Sequence, residues 1–155
     1  MPMGTFTLFD EIGIDTAQKV ADILSQRLGE RIKPPPVLAA LYKERYFGLN
    51  KGKGFYHNDG KKRTRPNPSL WRVVRTGAGR GESLGTEEIV ERAMLYMLKE
   101  AAFCHKGKII DRPDSLDAAH INGIVFPLFR GGLLGSADNR GSKTLMDELD
   151  AYARK

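Results

Sequence analysis

Apolar residues recur at helical spacing in six stretches of the chain, and residues that favour helix ends flank most of these stretches. In the clearest one, Thr86 precedes two glutamates, and apolar residues from Ile89 to Cys104 continue one face. The predicted helices run from Asp15 or Thr16 to Leu28, Pro36 to Phe47, Ser69 to Arg75, Thr86 to Lys106, Pro113 to Asn122 and Ser142 to Lys155. No segment alternates apolar and polar residues for long enough to predict a strand. The pattern therefore predicts an all-α fold.

Two glycine-containing stretches, 2–13 and 126–141, resemble each other. Both contain a proline, a small glycine turn, apolar residues and Asp-x-x-Gly, followed by an amphipathic helix. The second is three residues longer between its proline and its aspartate. Such self-similarity predicts two related helical units. Because the chain begins inside the motif, we expect the first unit to lack counterparts of the helices at 87–106 and 113–122, and to expose an apolar face.

The chain has 155 residues, of which 41% are hydrophobic, so it can form one globular domain or two small ones. We predict a partial first unit at 1–60, a basic linker rich in glycine and proline at 61–85, and a second unit at 86–155. The net charge of +6 arises mainly between residues 51 and 80. This basic excess indicates either a solvated linker or a partner that carries phosphate.

Length and composition also bear on the compartment. No apolar run reaches the length of a membrane span, and residues 1–10 carry no basic side chain, so neither a membrane helix nor a targeting peptide is predicted. The single cysteine, Cys104, cannot form an internal disulfide and is typical of a reducing compartment.

Asp10 and Asp138 each lie three residues before a glycine, at the start of a new helix. They could be catalytic carboxylates, but their repetition favours a structural role in the turns. Arg130 could bind a carboxylate across an interface or fix its own glycine turn. The residues predicted to form structural turns or interfaces are Asp10, Gly13, Gly52, Gly54, Phe55, Tyr56, Phe126, Pro127, Phe129, Arg130, Gly131, Gly132, Asp138 and Gly141.

The sequence signals for other functional sites are weak. His57, His105 and His120 share no metal-ligand spacing, so no metal site is predicted. The glycines at 77, 79 and 81 miss the spacing of a dinucleotide-binding loop, and no strand–helix unit surrounds them. We therefore predict no catalytic residue in this chain and no cofactor bound by this chain alone.

Two sets of motifs resemble known sequences. Pro-Met-Gly-Thr-Phe-Thr-Leu-Phe-Asp-Glu-Ile-Gly-Ile-Asp (2–15) and Leu-Asn-Lys-Gly-Lys-Gly-Phe-Tyr (49–56) resemble the C-terminal domain of 3-hydroxyacyl-CoA dehydrogenases. Glu-Glu-Ile-Val-Glu-Arg-Ala-Met-Leu (87–95), Lys-Glu-Ala-Ala (99–102), Asp114-x-x-Asp117 and Phe-Pro-Leu-Phe-Arg-Gly-Gly (126–132) resemble the tandem second copy of that domain in multifunctional fatty-acid oxidation proteins. Thr5 and Leu133 depart mildly from the family, which often has proline at both positions.

The resemblance implies a function for the full protein. Its dehydrogenase oxidises 3-hydroxyacyl-CoA to 3-ketoacyl-CoA with NAD, using a histidine and a glutamate of a Rossmann domain. None of the three histidines here matches that histidine, so the chain is expected to be inactive alone and to need an NAD-binding portion as partner. In the family, the helical domains close one wall of the acyl-CoA cleft and form subunit contacts. By resemblance, Pro2, Met3, Gly4 and Phe6 lie nearest the cleft, and the protein is a homodimer or larger oligomer.

The family occurs in the bacterial cytoplasm and in the mitochondrial matrix, and the resemblance favours the cytoplasm. Two alternatives use the basic segment. In one, the chain is a nucleic-acid-binding or protein-interaction module without metabolic role, acting through Lys61 to Arg75. In the other, Lys61, Lys62 and Arg63 contact the phosphates of coenzyme A.

Overall fold

In a computed structural model, the chain forms eight α-helices and a β-hairpin over the residues that the structure describes, which are 3–59, 62–78 and 83–153. The helices are α1 (Thr5–Ile12), α2 (Ile14–Leu28), α3 (Pro36–Lys43), α4 (Leu70–Ala78), α5 (Thr86–Lys106), α6 (Pro113–Ile124), α7 (Gly132–Arg140) and α8 (Ser142–Ala153). The strands are β1 (Tyr56–Asp59) and β2 (Lys62–Pro66), and 3-10 turns lie at Gly29–Ile32, Leu49–Lys51 and Leu128–Arg130. The predicted all-α class is confirmed, with the hairpin as an addition.

The chain divides into two compact units, one containing α1 to α4 and the hairpin, the other α5 to α8. In the first unit, α2 packs on α3, and α3 packs on α4. The buried apolar residues of this unit are Ile14, Ala17, Leu38, Leu41, Tyr46, Leu70 and Val73. In the second unit, α7 packs on α5, α6 and α8. Its buried apolar core consists of Ala101, Leu116, Phe126 and Leu133.

Two elements, β2 and α4, lie within the range 61–85 that was interpreted as a linker. Helix α4 contains most of the helix predicted from Ser69 to Arg75, and its residues Leu70 and Val73 are buried in the first core. The strands pair antiparallel, with Tyr56 opposite Pro66 and a register irregularity before Asn58. Because the described β2 side chains, Arg65 and Pro66, are exposed, this strand carries no apolar alternation that a pattern could detect.

Helices α1 and α7 were not predicted, although the helices that follow them were. Three of the nine residues of α7, and the cap residue Gly131 before it, are glycine or serine, which have low helix propensity. Tertiary contacts therefore stabilise α7 as a helix, since its residue Leu133 is fully buried. The structure also shortens the predicted helix at Pro36, which ends at Lys43 before Arg45 adopts a φ of 59°. It extends the predicted helix at Pro113 to Ile124.

Among the described residues, no helix is both long and apolar enough to cross a membrane.

Candidate functional site

The residues that the resemblance places near a substrate cleft lie in the first turn of α1 and directly before it. Met3, Gly4 and Phe6 are exposed, and Pro2 lies outside the described residues. The Phe6 ring stacks on the Phe55 ring, with centroids 4.6 Å apart and planes inclined by 24°. This stacking fixes one face of Phe6, while 55% of the residue stays accessible. The role of these residues in a cleft stays a prediction.

A buried carboxylate holds the other end of α1. Asp10 is 1% exposed, and its Oδ1 and Oδ2 accept hydrogen bonds from the main-chain N–H groups of Phe55 (2.8 Å) and Tyr56 (3.0 Å). Charge-assisted bonds of this kind are stronger than those between neutral groups. The carboxylate thus joins α1 to the start of the hairpin, and its oxygens are engaged in structure.

Two glycines leave room for this carboxylate. A Cβ atom at Gly54 would overlap the Asp10 carboxylate, and one at Gly48 would lie 2.6 Å from the Asp10 main-chain oxygen. Gly48 also has a φ of 94°, which side chains other than glycine rarely adopt. We call Asp10, Gly48, Gly54, Phe55 and Tyr56 the Asp10 cluster. Except for Gly48, its members were predicted from sequence as turn residues. Gly52, also predicted, ends the neighbouring 3-10 turn in the left-handed conformation.

Sequence reasoning missed Asn67, which extends the cluster. Asn67 is 6% exposed, and its Nδ2 donates to the Gly54 main-chain oxygen over 3.0 Å. Its Oδ1 accepts bonds from the main-chain N–H (3.1 Å) and hydroxyl (2.7 Å) of Ser69. The Ser69 hydroxyl also shares a 3.0 Å hydrogen bond with the buried Tyr46 hydroxyl. The Asn-x-Ser spacing before α4 is an available signal, since such residues often cap the turn before a helix.

An ion pair lies at the start of α2. Lys51 Nζ is 2.8 Å from Asp15 Oδ2. The hydrogen bond from Lys51 and its positive charge hold the pKa of Asp15 below its usual value. Asp15 also lies in the first turn of α2, where the helix dipole favours a negative charge.

The second unit contains a comparable carboxylate at a different place. Asp117 of α6 accepts hydrogen bonds from the main-chain N–H groups of Leu134 (2.7 Å) and Gly135 (3.1 Å), in the first turn of α7. A Cβ atom at Gly132, whose φ is 92°, would overlap the Asp117 side chain. We call Asp117, Gly132, Leu134 and Gly135 the Asp117 cluster. Its sequence signal was the Asp114-x-x-Asp117 motif, to which no role was assigned.

The sequence repeat corresponds to a structural one. Gly13 joins α1 to α2 with φ 91° and ψ 132°, and Gly141 joins α7 to α8 with φ 82° and ψ 139°. Each glycine N–H donates to the carbonyl four residues earlier, and each glycine carbonyl accepts from the N–H four residues later. Asp138, however, is exposed, whereas Asp10 is buried. The two aspartates therefore share a sequence position but not an environment.

The segment before α7 exposes large side chains. Phe126 is buried, but Leu128 and Phe129 are 75% and 87% exposed, and the Arg130 guanidinium lies 5.8 Å from the Phe129 ring centroid. Pro127 is half-buried and precedes the 3-10 turn, and Gly131 ends that turn with a φ of 72°. Arg130 also borders a cleft of about 300 Å³ together with Arg140, Glu87 and Glu91.

Within the described parts of the chain, no three histidine, cysteine, aspartate or glutamate side chains form a group that could hold a metal ion. His120 Nδ1 lies 2.9 Å from the carbonyl oxygen of Leu116, one helical turn earlier. Cys104 is half-buried and packs against the second core. Both side chains therefore make structural contacts within the second unit.

Comparison with known proteins identifies the relatives of the chain. Residues 1–58 match the family described as 3-hydroxyacyl-CoA dehydrogenase, C-terminal domain. The fatty acid oxidation complex subunit alpha of Idiomarina loihiensis is 35% identical over 98% of this chain, and that of Vibrio parahaemolyticus is 36% identical over 99%. A solved structure, the dehydrogenase part of multifunctional enzyme 1 from C. elegans, matches 70% of this chain and 24% of its own, with 22% identity and a TM-score of 0.47.

The chain spans 21–22% of the length of the two alpha subunits. The alignments extend through both units and so include the Asp10 and Asp117 clusters, which confirms the resemblance drawn from the motifs. Residues 1–58 are similar to the family described as 3-hydroxyacyl-CoA dehydrogenase, C-terminal domain, and the chain as a whole is similar to fatty acid oxidation complex alpha subunits.

Proposed function

We propose that the chain acts as the C-terminal helical portion of a fatty-acid β-oxidation protein whose full form oxidises 3-hydroxyacyl-CoA to 3-ketoacyl-CoA with NAD. The observation that carries the proposal is the similarity to alpha subunits along nearly the whole chain, at 35–36% identity. The matches lend no support to the nucleic-acid-binding alternative.

We propose that this chain contributes to the reaction by helping to position the substrate, and that it does not supply the reacting groups. The two carboxylates that the fold holds most firmly, Asp10 and Asp117, accept main-chain hydrogen bonds with both oxygens. These hydrogen bonds support a structural role for both carboxylates. By the resemblance drawn from the motifs, we assign the proton-accepting pair and NAD to an NAD-binding portion and expect this chain to be inactive alone.

We assign the first turn of α1 and the residues directly before it to the acyl-CoA cleft. Met3 and Phe6 offer exposed apolar surface there, and Gly4 lets a ligand approach the main chain. The Asp10 cluster and the Phe6–Phe55 stack hold this helix in place. We also assign Pro2 to the cleft, because of the sequence resemblance alone.

The same proposal covers assembly and location. Exposed apolar side chains on both units, among them Ile23, Tyr96 and Phe129, favour contacts with other chains or domains. We propose a homodimer or larger oligomer in the bacterial cytoplasm.

The test is an NADH-forming assay on a 3-hydroxyacyl-CoA. It compares this chain alone, the part of the Idiomarina loihiensis alpha subunit that lies outside the stretch aligned to this chain, also alone, and the two together. We expect turnover to require both chains, because one supplies the reacting groups and the other a wall of the cleft. Replacing Phe6 with Glu should raise KM, while Ile109→Glu, at an exposed site of the second unit, should not. Turnover by this chain alone, or none by the mixture, would refute the proposal.

A further inference from the structure

The cleft beside Arg130 lies wholly within the second unit. It is bordered by the first half of α5, the 3-10 turn before α7 and the C-terminal half of α7. Its volume of about 300 Å³ is at the lower end of the range for small-molecule sites, so a ligand that fits it is small. The apolar part of its lining consists of Val90, Met94, Leu98 and Ala137.

The charged residues of this cleft differ in how they are paired. The Arg140 guanidinium is already engaged, because it lies 3.3 Å from the Glu91 carboxylate. Arg130 has a single electrostatic contact among the described residues, the Phe129 ring, whose centroid is 5.8 Å from the guanidinium. The Glu87 carboxylate forms no ion pair or hydrogen bond with the part of the chain that the structure describes. Within that part, the cleft therefore presents one unpaired charge of each sign.

Ser136 adds a buried hydroxyl group to the cleft wall. The residue is 8% exposed, and its hydroxyl has no hydrogen-bond partner among the described residues. A helical serine often bonds to the carbonyl four residues earlier, but Ser136 does not bond to Gly132. Because a buried hydroxyl without a partner costs free energy, such groups usually bond to water or to a ligand. The Ser136 hydroxyl can thus serve a ligand in the cleft.

The three groups without partners define the chemistry of that ligand. A guanidinium such as that of Arg130 binds a carboxylate through two parallel N–H bonds, and the Ser136 hydroxyl can donate one more. The Glu87 carboxylate attracts a positive charge, for which an ammonium group is suited. Met94 and Leu98 provide apolar surface for a hydrocarbon chain. A molecule that combines these features in a small volume is an α-amino acid with an aliphatic side chain.

We propose that the cleft between α5 and α7 binds a free aliphatic α-amino acid such as leucine. Arg130 and Ser136 bind its carboxylate, Glu87 binds its ammonium group, and its side chain packs on Met94 and Leu98. The inference does not rest on the proposed function, because this cleft lies in the second unit and the acyl-CoA cleft was assigned to α1 of the first.

The experiment titrates ligands into the full chain by isothermal titration calorimetry. L-leucine is compared with leucinamide, which lacks the carboxylate, with 4-methylpentanoate, which lacks the ammonium group, and with glycine, which lacks the side chain. We expect leucine to bind saturably with a Kd of about 0.1 to 1 mM, because the ligand is small and the cleft is open to solvent. Each of the other three should bind at least about tenfold more weakly, since each loses one of the proposed contacts.

Variants then locate the site. Arg130→Gln should weaken leucine binding about tenfold or more, and Ser136→Ala about threefold or more. The matched control is Lys106→Gln, which also removes a positive charge, at an exposed site of α5 outside the cleft, and which should leave the affinity unchanged. Glu87→Gln should weaken binding of leucine but not of 4-methylpentanoate, because only leucine carries the ammonium group.

Three outcomes would overturn the inference. The first is the lack of saturable leucine binding at concentrations up to about tenfold above the expected Kd range. The second is equal affinity for leucine and leucinamide, which would exclude recognition of the carboxylate. The third is an equal loss of affinity in Arg130→Gln and Lys106→Gln, which would show attraction to the overall charge of the chain. The assay uses neither NAD nor an acyl-CoA, so this inference and the proposed function can fail separately.

Discussion

The helix pairs α1–α2 and α7–α8 share a junction but are stabilised from different sides. Around α1, a buried carboxylate near the end of the helix accepts N–H groups from the hairpin. Around α7, a carboxylate from the preceding helix accepts N–H groups at the beginning of the helix. The helices that follow the repeated pair in the first unit, and those that precede it in the second, determine which of its faces are covered. The comparison shows that a repeated two-helix element can keep its geometry while its stabilising partners differ.

The largest expected effect separates Asp10 from Asp138. Asn at position 10 has one carbonyl oxygen for two N–H groups, so one donor would lie buried beside the amide NH₂. We expect Asp10→Asn to destabilise the first unit by about 2 to 4 kcal/mol. Asp138→Asn should cost less than about 0.5 kcal/mol, because the side chain is exposed. Urea unfolding followed by the fluorescence of Trp71, the only tryptophan of the chain, measures the first unit, and hydrogen exchange across α7 and α8 measures the second.

Equal effects of the two changes would show that Asp10 does not hold the hairpin. Hydrogen exchange provides a local check, since the N–H groups of Phe55 and Tyr56 should lose protection in Asp10→Asn.

The second prediction concerns the start of α7. Asp117 is half-buried, so water can replace part of what Asp117→Asn removes, and we expect a loss of about 1 to 3 kcal/mol. The matched control is Asp114→Asn, one turn earlier, where an exposed carboxylate pairs with the exposed Arg112 and contributes little. Hydrogen exchange with mass spectrometry measures the effect of both variants, because the N–H groups of Leu134 and Gly135 report directly on the Asp117 cluster. Unchanged protection of these two groups in Asp117→Asn would contradict the role assigned to the carboxylate.

The third prediction tests the junction glycines. Both lie at positive φ, so replacement by alanine should cost about 1 to 3 kcal/mol in either unit. The environments of the two glycines differ. A Cβ atom at Gly13 would lie 2.6 Å from Asp15 Oδ1 and 3.4 Å from the Phe47 carbonyl oxygen. A Cβ atom at Gly141 would have none of the described atoms within 4 Å. Gly13→Ala should therefore be the more damaging. Peptide-resolved hydrogen exchange across each unit compares them, and a larger loss for Gly141→Ala would mean that backbone strain outweighs crowding.

The sequence predicted the helices with clear apolar faces and missed those that depend on distant partners. The helix from Thr86 to Lys106 was predicted to within one residue at its start, where Thr86 was expected to be the cap, because its apolar face and acidic first turn are local features. Helix α7 was not, because its glycines lower its helix propensity, and the helix depends on the burial of its residue Leu133 and on hydrogen bonds to Asp117 of α6.

The same distinction applies to the candidate site. Asp10, Gly54, Phe55 and Tyr56 were recognised as structural positions, but their hydrogen bonds link residues 45 and 46 positions apart, which no local pattern shows. The repeat also suggested equal environments for Asp10 and Asp138. The structure shows that the environment comes from the hairpin, a part of the first unit that the motif does not include.

The smallest expected effect is a pH dependence confined to the first unit. Lys51 lowers the pKa of Asp15, and the position that corresponds to Asp15 in α8 is Lys143, which cannot form the same pair. A carboxyl whose pKa is lower in the folded than in the unfolded state stabilises the fold above the unfolded pKa, and that contribution disappears as pH falls through the folded value. The first unit should therefore lose a small amount of stability in acid that Lys51→Ala does not lose. NMR titration of the Asp15 carboxyl measures the cause directly: its pKa should rise towards the usual value of 3.8 in Lys51→Ala, and an unchanged pKa would show that the ion pair does not form in solution.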